Sequence, residues 1–155
     1  MRFHDTKCKL IKSTQRGFYK LVNIEIQEIQ SADKIRSQVL RERAKRCNAR
    51  ITSCFIAICN DIEVAFFALD LWPVPKPLVL YELYVVPNMR SQGIGSRVLV
   101  EVEALATKKG YQKIILNPKP LDDTYSQPKL VDWYKRHGYD WNDEEYKRLQ
   151  KYICP

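Results

Sequence analysis

The chain has 155 residues, 45% of them hydrophobic and 28% charged, and a net charge of +8. This composition suits one globular domain with a core of its own and excludes general disorder. No apolar run reaches the roughly 18–20 residues of a membrane span, and residues 1–12 lack the apolar stretch of a secretory leader, so a cytoplasmic protein without a membrane partner is expected.

Residues 1–17 are polar and basic and read as a loose arm ahead of a single domain over residues 18–155. The charge excess is concentrated at this end. Residues 1–20 carry a net +5 and residues 33–50 another +5, while residues 51–155 balance to zero. A basic segment of this kind attracts polyanions such as tRNA or an acidic protein, or serves only as a solvated face, and the sequence favours neither.

Phe18 to Ile29 alternates apolar side chains at Val22, Ile24 and Ile26, the period of a strand. Ser31-Ala32-Asp33 then offers N-cap chemistry. Ile35, Val39, Leu40, Ala44 and Cys47 follow at helical spacing. They predict an amphipathic helix of about four turns, with Arg36, Arg41, Arg43 and Lys45 on its outer face. Thr52–Cys59 and Glu63–Trp72 read as a hairpin turning at Asn60-Asp61. Pro73, Pro75 and Pro77 stiffen the loop before a strand over 78–86.

A helix is predicted over 93–109 with Gly110 past its end, then a short buried strand over 113–116. Residues 117–128 form a loop with three prolines, a helix spans 129–137, and strands over 139–141 and 146–153 close the chain. The order predicts an α/β (α+β mixed) fold: one sheet of about six or seven strands with helices on both faces. It leaves the oligomeric state open, a homodimer included. The five cysteines, Cys8, Cys47, Cys54, Cys59 and Cys154, show no CxxC spacing and are accompanied by two histidines. Reduced thiols and no metal site are expected.

The segment richest in chemistry is Leu83 to Ser96. A strand enters a short turn, Arg90-Ser91-Gln92-Gly93-Ile94-Gly95, that opens a helix. The first turn of a helix leaves backbone N–H groups without partners at the positive end of the macrodipole. Glycines let an anion approach them, and Arg90 and Arg97 add charge. The turn is therefore a cradle for a pyrophosphate. It is neither a P-loop nor the dinucleotide fingerprint, and two glycines could also serve packing alone.

Arg90-x-x-Gly93-x-Gly95, preceded by Leu83-Tyr84-Val85-x-Pro87, resembles the acetyl-CoA signature of the GNAT N-acetyltransferase superfamily. Lys129 to Tyr139, with Trp133-Tyr134 and Gly138-Tyr139, resembles that family's C-terminal helix. The resemblance implies a GNAT-like fold over residues 18–153. It implies acetyl-CoA as cosubstrate, with Leu83, Tyr84 and Val85 along the pantetheine arm. The amides of Arg90, Ser91, Gln92, Gly93, Ile94, Gly95 and Ser96 would lie at the pyrophosphate. An N–H near Val85 would polarise the thioester carbonyl.

It implies Tyr134 as the donor of a proton to the departing thiolate. Where the family often has an asparagine seven residues earlier, this chain has Gln127. Family members often place a carboxylate base on the fourth strand, and Glu82 is the only acidic residue in 78–86. Asp70, Asp122 and Asp123 are reserve candidates. The expected function is N-acetyl transfer to a primary amine by direct attack in a ternary complex. The acceptor would be a small amine, a protein amine or an aminoacyl-tRNA. The rivals are a non-catalytic CoA-binding module and an RNA-binding protein.

Overall fold

The structure, a computed structural model, describes residues 22–48, 50–142 and 147–153. The expected basic arm over 1–17 and the start of the first expected strand lie outside these residues. Among them are seven strands and three α-helices. In chain order they are β1 (Glu25–Ile29), α1 (Gln38–Ala44), β2 (Thr52–Cys59), β3 (Ile62–Asp70), β4 (Leu78–Val85), α2 (Ile94–Lys108), β5 (Lys113–Leu116), α3 (Gln127–Arg136), β6 (Asp140–Trp141) and β7 (Leu149–Tyr152). They form one mixed sheet in the order β1-β2-β3-β4-β5-β7-β6. Only β4 and β5 pair in parallel, because α2 carries the chain back across the sheet between them.

The β2–β3 hairpin turns at Asn60 and Asp61, both at positive φ (49° and 62°), the geometry of a type I′ turn. Both faces of the central strands are covered, so β2 and β3 read as nearly continuous apolar runs. Alternation along β2 and β3 divides the core. Phe55, Phe67 and Leu69 meet α2 residues Val98, Leu99 and Val102 on one face. Ile56, Phe66 and Ala68 meet Ile35 and Leu40 on the other. Helices thus lie on both faces, as the sequence predicts.

The first helix differs from its prediction. A 3-10 turn over Ala32–Lys34 is capped by Ser31, Ile35 is extended (φ −81°, ψ 124°), and the α-helix begins only at Gln38. The cause is distant in sequence. The Glu63 carboxylate at the start of β3 accepts the N–H groups of Arg36 and Ser37 at 3.0 and 2.6 Å, capping α1 from another strand. The rotated helix leaves Val39 half-exposed and turns Arg43 inward, where a solvent face was expected.

Cys47 and Cys54 are free thiols packed beside the α1 side of the core. Cys59 is disulfide-bonded, against the expectation of reduced thiols. Among the described residues no helix is long and apolar enough to cross a membrane.

Candidate active site

The site begins where the sheet comes apart. β4 pairs with β5 only through Leu78–Ile114, Val79–Ile115 and Leu80–Leu116. β5 then ends at Asn117-Pro118, where proline offers no ladder donor. β4 continues to Val85 with no strand on that side among the described residues. Its other edge stays paired with β3, but the register shifts from Ala68–Glu82 to Leu69–Leu80 and leaves Tyr81 as the extra residue. Such a bulge bends a strand and re-aims its side chains. A cleft of about 480 Å³ opens in the gap, lined by Glu82, Leu83, Tyr84 and Val85 among others.

The chain then crosses to α2 through residues 90–93. Ser91 and Gly93 both take positive φ (59° and 83°), Gly93 serving as the N-cap residue of α2. The first N–H to close a helical bond is that of Arg97, to the Gly93 carbonyl at 3.0 Å. The N–H groups of residues 91 and 93–96 find no acceptor among the described residues. Ser91, Gly93, Ile94, Gly95 and Ser96 line the cleft. Five such donors at a helix N-terminus, in a cleft, make a place an anion can occupy. The Gln92 side chain turns away to the Asn88 carbonyl (3.2 Å) and does not line the cleft.

The side chains of both arginines expected to add charge here have protein partners, and of the two only Arg90 lines the cleft. Arg90 donates through Nε to the Val85 carbonyl (2.8 Å) and grips both Asp122 carboxylate oxygens. Arg97 is paired with Glu101 one turn along α2. Lys119, Lys129 and Arg136 line the cleft and make no ion pair among the described residues.

Gly95 has a different role from Gly93. A Cβ at Gly95 would stand 3.1 Å from Cζ2 of Trp133, so this glycine lets α3 pack against the first turn of α2. The same contact is reinforced by His137, whose ring nitrogens meet the Trp133 carbonyl and the Ser96 hydroxyl, both at 2.8 Å. The sequence offered no signal for this His137–Ser96 tie beyond the presence of a histidine.

Tyr134 lines the cleft from α3 and is 6% exposed. Burial pushes its phenol well above the usual tyrosine range, so it holds its proton more tightly than an exposed tyrosine does. Its position follows from the end of α3. Gly138 takes a positive φ (85°), and the N–H groups of Gly138 and Tyr139 return to the carbonyls of Lys135 and Tyr134. This Schellman closure folds the buried Tyr139 ring edge-on against Tyr134, at 5.7 Å between centroids.

Glu82 also lines the cleft, and Arg43 from α1 holds its Oε1 at 2.6 Å. The reserve carboxylates are placed differently. Asp122 lines the cleft, but Arg90 holds its carboxyl well below the usual carboxylate range. Asp70 is buried at the end of β3, where it accepts from Thr52 (2.6 Å). Asp123 is exposed, and neither it nor Asp70 lines the cleft. Gln127 is corrected as well: it is exposed in the first turn of α3, away from the cleft, and the amide at the cleft is Asn117. Among the described residues no group of three or more His, Cys, Asp or Glu side chains is placed to hold a metal ion.

The family model described as "Acetyltransferase (GNAT) domain" matches residues 50–140. The chain belongs to this GNAT acetyltransferase family. No curated protein matches it. Among solved structures it is similar to a GNAT family acetyltransferase from Elizabethkingia anophelis with acetyl-CoA bound, at 17% identity and a TM-score of 0.62, covering 84% of this chain and 99% of that one. It is similar to an IAA acetyltransferase from Bacillus cereus at 18% identity and a TM-score of 0.61, covering 84% and 100%. The PaiA N-acetyltransferase from Thermoplasma acidophilum, in complex with coenzyme A, is similar at 18% identity and a TM-score of 0.60, covering 84% and 99%.

Proposed function

We propose that this protein transfers the acetyl group of acetyl-CoA to a primary amine by direct attack in a ternary complex. One observation carries the reading. The free edge of β4, the unpartnered N–H groups of 91 and 93–96 and the Tyr134 phenol share a single cleft. A pantetheine arm, itself rich in amides, fits the free edge of residues 81–85 as an added strand would. A pyrophosphate fits the cradle at the start of α2, and Lys119, Lys129 and Arg136 supply unpaired positive charge for further phosphate. Bound acetyl-CoA supplies the activated acyl group.

This chain's residues do the rest. The cleft walls hold the amine against the thioester, which converts a bimolecular encounter into an oriented one. Glu82, directly or through water, accepts the amine proton. Tyr134, a phenol protonated at neutral pH, gives a proton to the departing thiolate. No enzyme nucleophile is needed.

The basic charge beside α1 favours an acceptor carried on a polyanion, with aminoacyl-tRNA as the case to test. Lys34, Arg46 and Arg50 are exposed around α1 and make no ion pair among the described residues. A tRNA affinity that does not change between low and physiological salt refutes this part alone.

The test of the transfer itself is acetyl-CoA turnover over polyamines, aminoglycosides, lysine peptides and charged tRNAs, with Tyr134→Phe and Glu82→Gln alongside. Turnover with at least one amine is expected, reduced about 100-fold or more in each variant while CoA still binds. CoA binding without turnover on any amine would make the protein a binding module instead.

A further inference from the structure

Glu82 stands in β4 opposite Ala68 of β3, whose methyl group cannot hold a carboxylate. Among the described residues its one hydrogen-bonding partner is Arg43. Arg43 reaches it from α1, 39 residues away in sequence, and both side chains are nearly buried, at 13% and 11% exposure. The same guanidinium makes two further contacts. Its Nη2 donates to the Leu121 carbonyl at 3.4 Å, and its central carbon lies 3.6 Å from the centroid of the Tyr84 ring.

Leu121 and Tyr84 line the cleft on opposite sides of the gap: Tyr84 on β4, Leu121 in the loop after β5. Arg43 therefore ties together the proposed base, the strand it stands on and the far wall. Its Nε is buried without an acceptor. Burying a guanidinium at the expense of one donor is unfavourable. A cation serving only as surface charge would point outward with its neighbour Lys45, which pairs with Glu42 in solvent.

The arrangement also explains why an arginine stands there. A planar fork can take a carboxylate and a carbonyl at once while stacking on a ring, whereas a lysine ammonium supplies a point charge. Arg90 approaches the same Tyr84 ring at 5.1 Å and takes Asp122, the residue after Leu121. The loop after β5 is thus fastened at two successive residues by two guanidinium groups that share one aromatic ring.

We propose that Arg43 is a positioning residue for acetyl transfer, fixing the Glu82 carboxylate and the Leu121 wall in one geometry across the cleft. The Glu82 half rests on the proposed function; the loop half does not.

The test uses the full chain with Arg43→Met, Arg43→Lys, Glu82→Gln and the Arg43→Met/Glu82→Gln double variant. Three quantities are measured: CoA affinity by calorimetry, amide exchange over residues 119–124, and thiol release from acetyl-CoA with the amines above. In Arg43→Met, CoA affinity stays within about threefold of the parent while kcat falls about tenfold or more. Exchange over 119–124 accelerates. Arg43→Lys recovers part of kcat but not the loop protection, since the ammonium keeps the charge and loses the fork. On the Glu82→Gln background, Arg43→Met lowers kcat by no more than about twofold further, because the two groups act as one unit.

Equal losses in both backgrounds overturn the proposal, and so does unchanged loop exchange in Arg43→Met. If Arg43→Met does not fold, Arg43→Lys decides the loop half by the same exchange measurement. If the parent protein turns over no amine, the proposed function fails, and loop exchange still supports or overturns the role of Arg43.

Discussion

Replacing Gly95 with alanine sets two opposing effects against each other. Alanine is the better helix former by about 0.8–1 kcal/mol, and Gly95 is the second residue of α2, so propensity alone raises stability. Packing opposes this. The new Cβ would lie 3.1 Å from Cζ2 and 3.4 Å from Cη2 of Trp133, against an ordinary carbon contact of about 3.5–4.0 Å. Trp133 must then move, and it is not free to do so alone. Its ring lies edge-on to Tyr134 at 4.8 Å and tilted on His137 at 4.5 Å, and His137 is tied to Ser96.

Overpacking of this kind costs about 1–3 kcal/mol. The net expectation is a loss of about 1 kcal/mol, or a Tm lower by about 2–4 °C for a chain of this size. The shift displaces the first turn of α2, so CoA affinity drops about tenfold, the equivalent of one charge-assisted hydrogen bond to a phosphate. Differential scanning calorimetry and isothermal titration with CoA read the two effects separately. A higher Tm with unchanged CoA affinity would show that Gly95 is not there for the approach of Trp133.

Two further outcomes follow from the ionisable groups. Asp122→Ala removes the clamp on Arg90 and is expected to cost about 1–2 kcal/mol, a partly buried charge pair being worth more than a surface one. The parent's Asp122 is depressed by Arg90, so its contribution is present above the ordinary carboxylate pKa and fades as pH falls below about 4. Urea midpoints measured from pH 5 to 3 should therefore fall more steeply in the parent than in the variant. At the other extreme, burial raises the phenols of Tyr134 and Tyr139. Their neutral forms are compatible with the fold up to the unfolded tyrosine value of about 10, and stability is lost as pH rises beyond it. Between pH 9 and 11.5 the fall in urea midpoint should be shallower in Tyr134→Phe than in the parent.

The parts of the fold legible in the sequence are those governed by local chemistry. The Asn60-Asp61 turn, the glycine stops after α2 and α3, and the glycine turn that opens α2 each depend on residues within a few positions. What escaped depends on distant partners. Periodicity over 35–47 marked Ile35 and Leu40 correctly as core. The break at Ile35 is set by Glu63, which no window around the helix contains. The same rotation carried Arg43 from the predicted solvent face to Glu82. Arg90 read as a phosphate ligand because Asp122, 32 residues away, was not visible as its partner. Counting seven residues back from Tyr134 selected Gln127, yet α3 begins at that residue and leaves it exposed, while the end of β5 presents Asn117.

The parting of β4 from β5 bears on how the whole molecule holds together. Three residue pairs are the entire ladder between a four-stranded half-sheet, β1 to β4, and a three-stranded one, β5, β7 and β6. With a seam that short, the two halves are held together chiefly by the core they share under α2, with the Arg43 and Arg90 clamps added. A linear amide-bearing molecule lying in the gap would pair with the free edge of β4 and extend the sheet there. On the proposed function, a cosubstrate bound there would act as an added strand of the sheet as well as a reactant, and the cooperativity of unfolding would rise with occupancy.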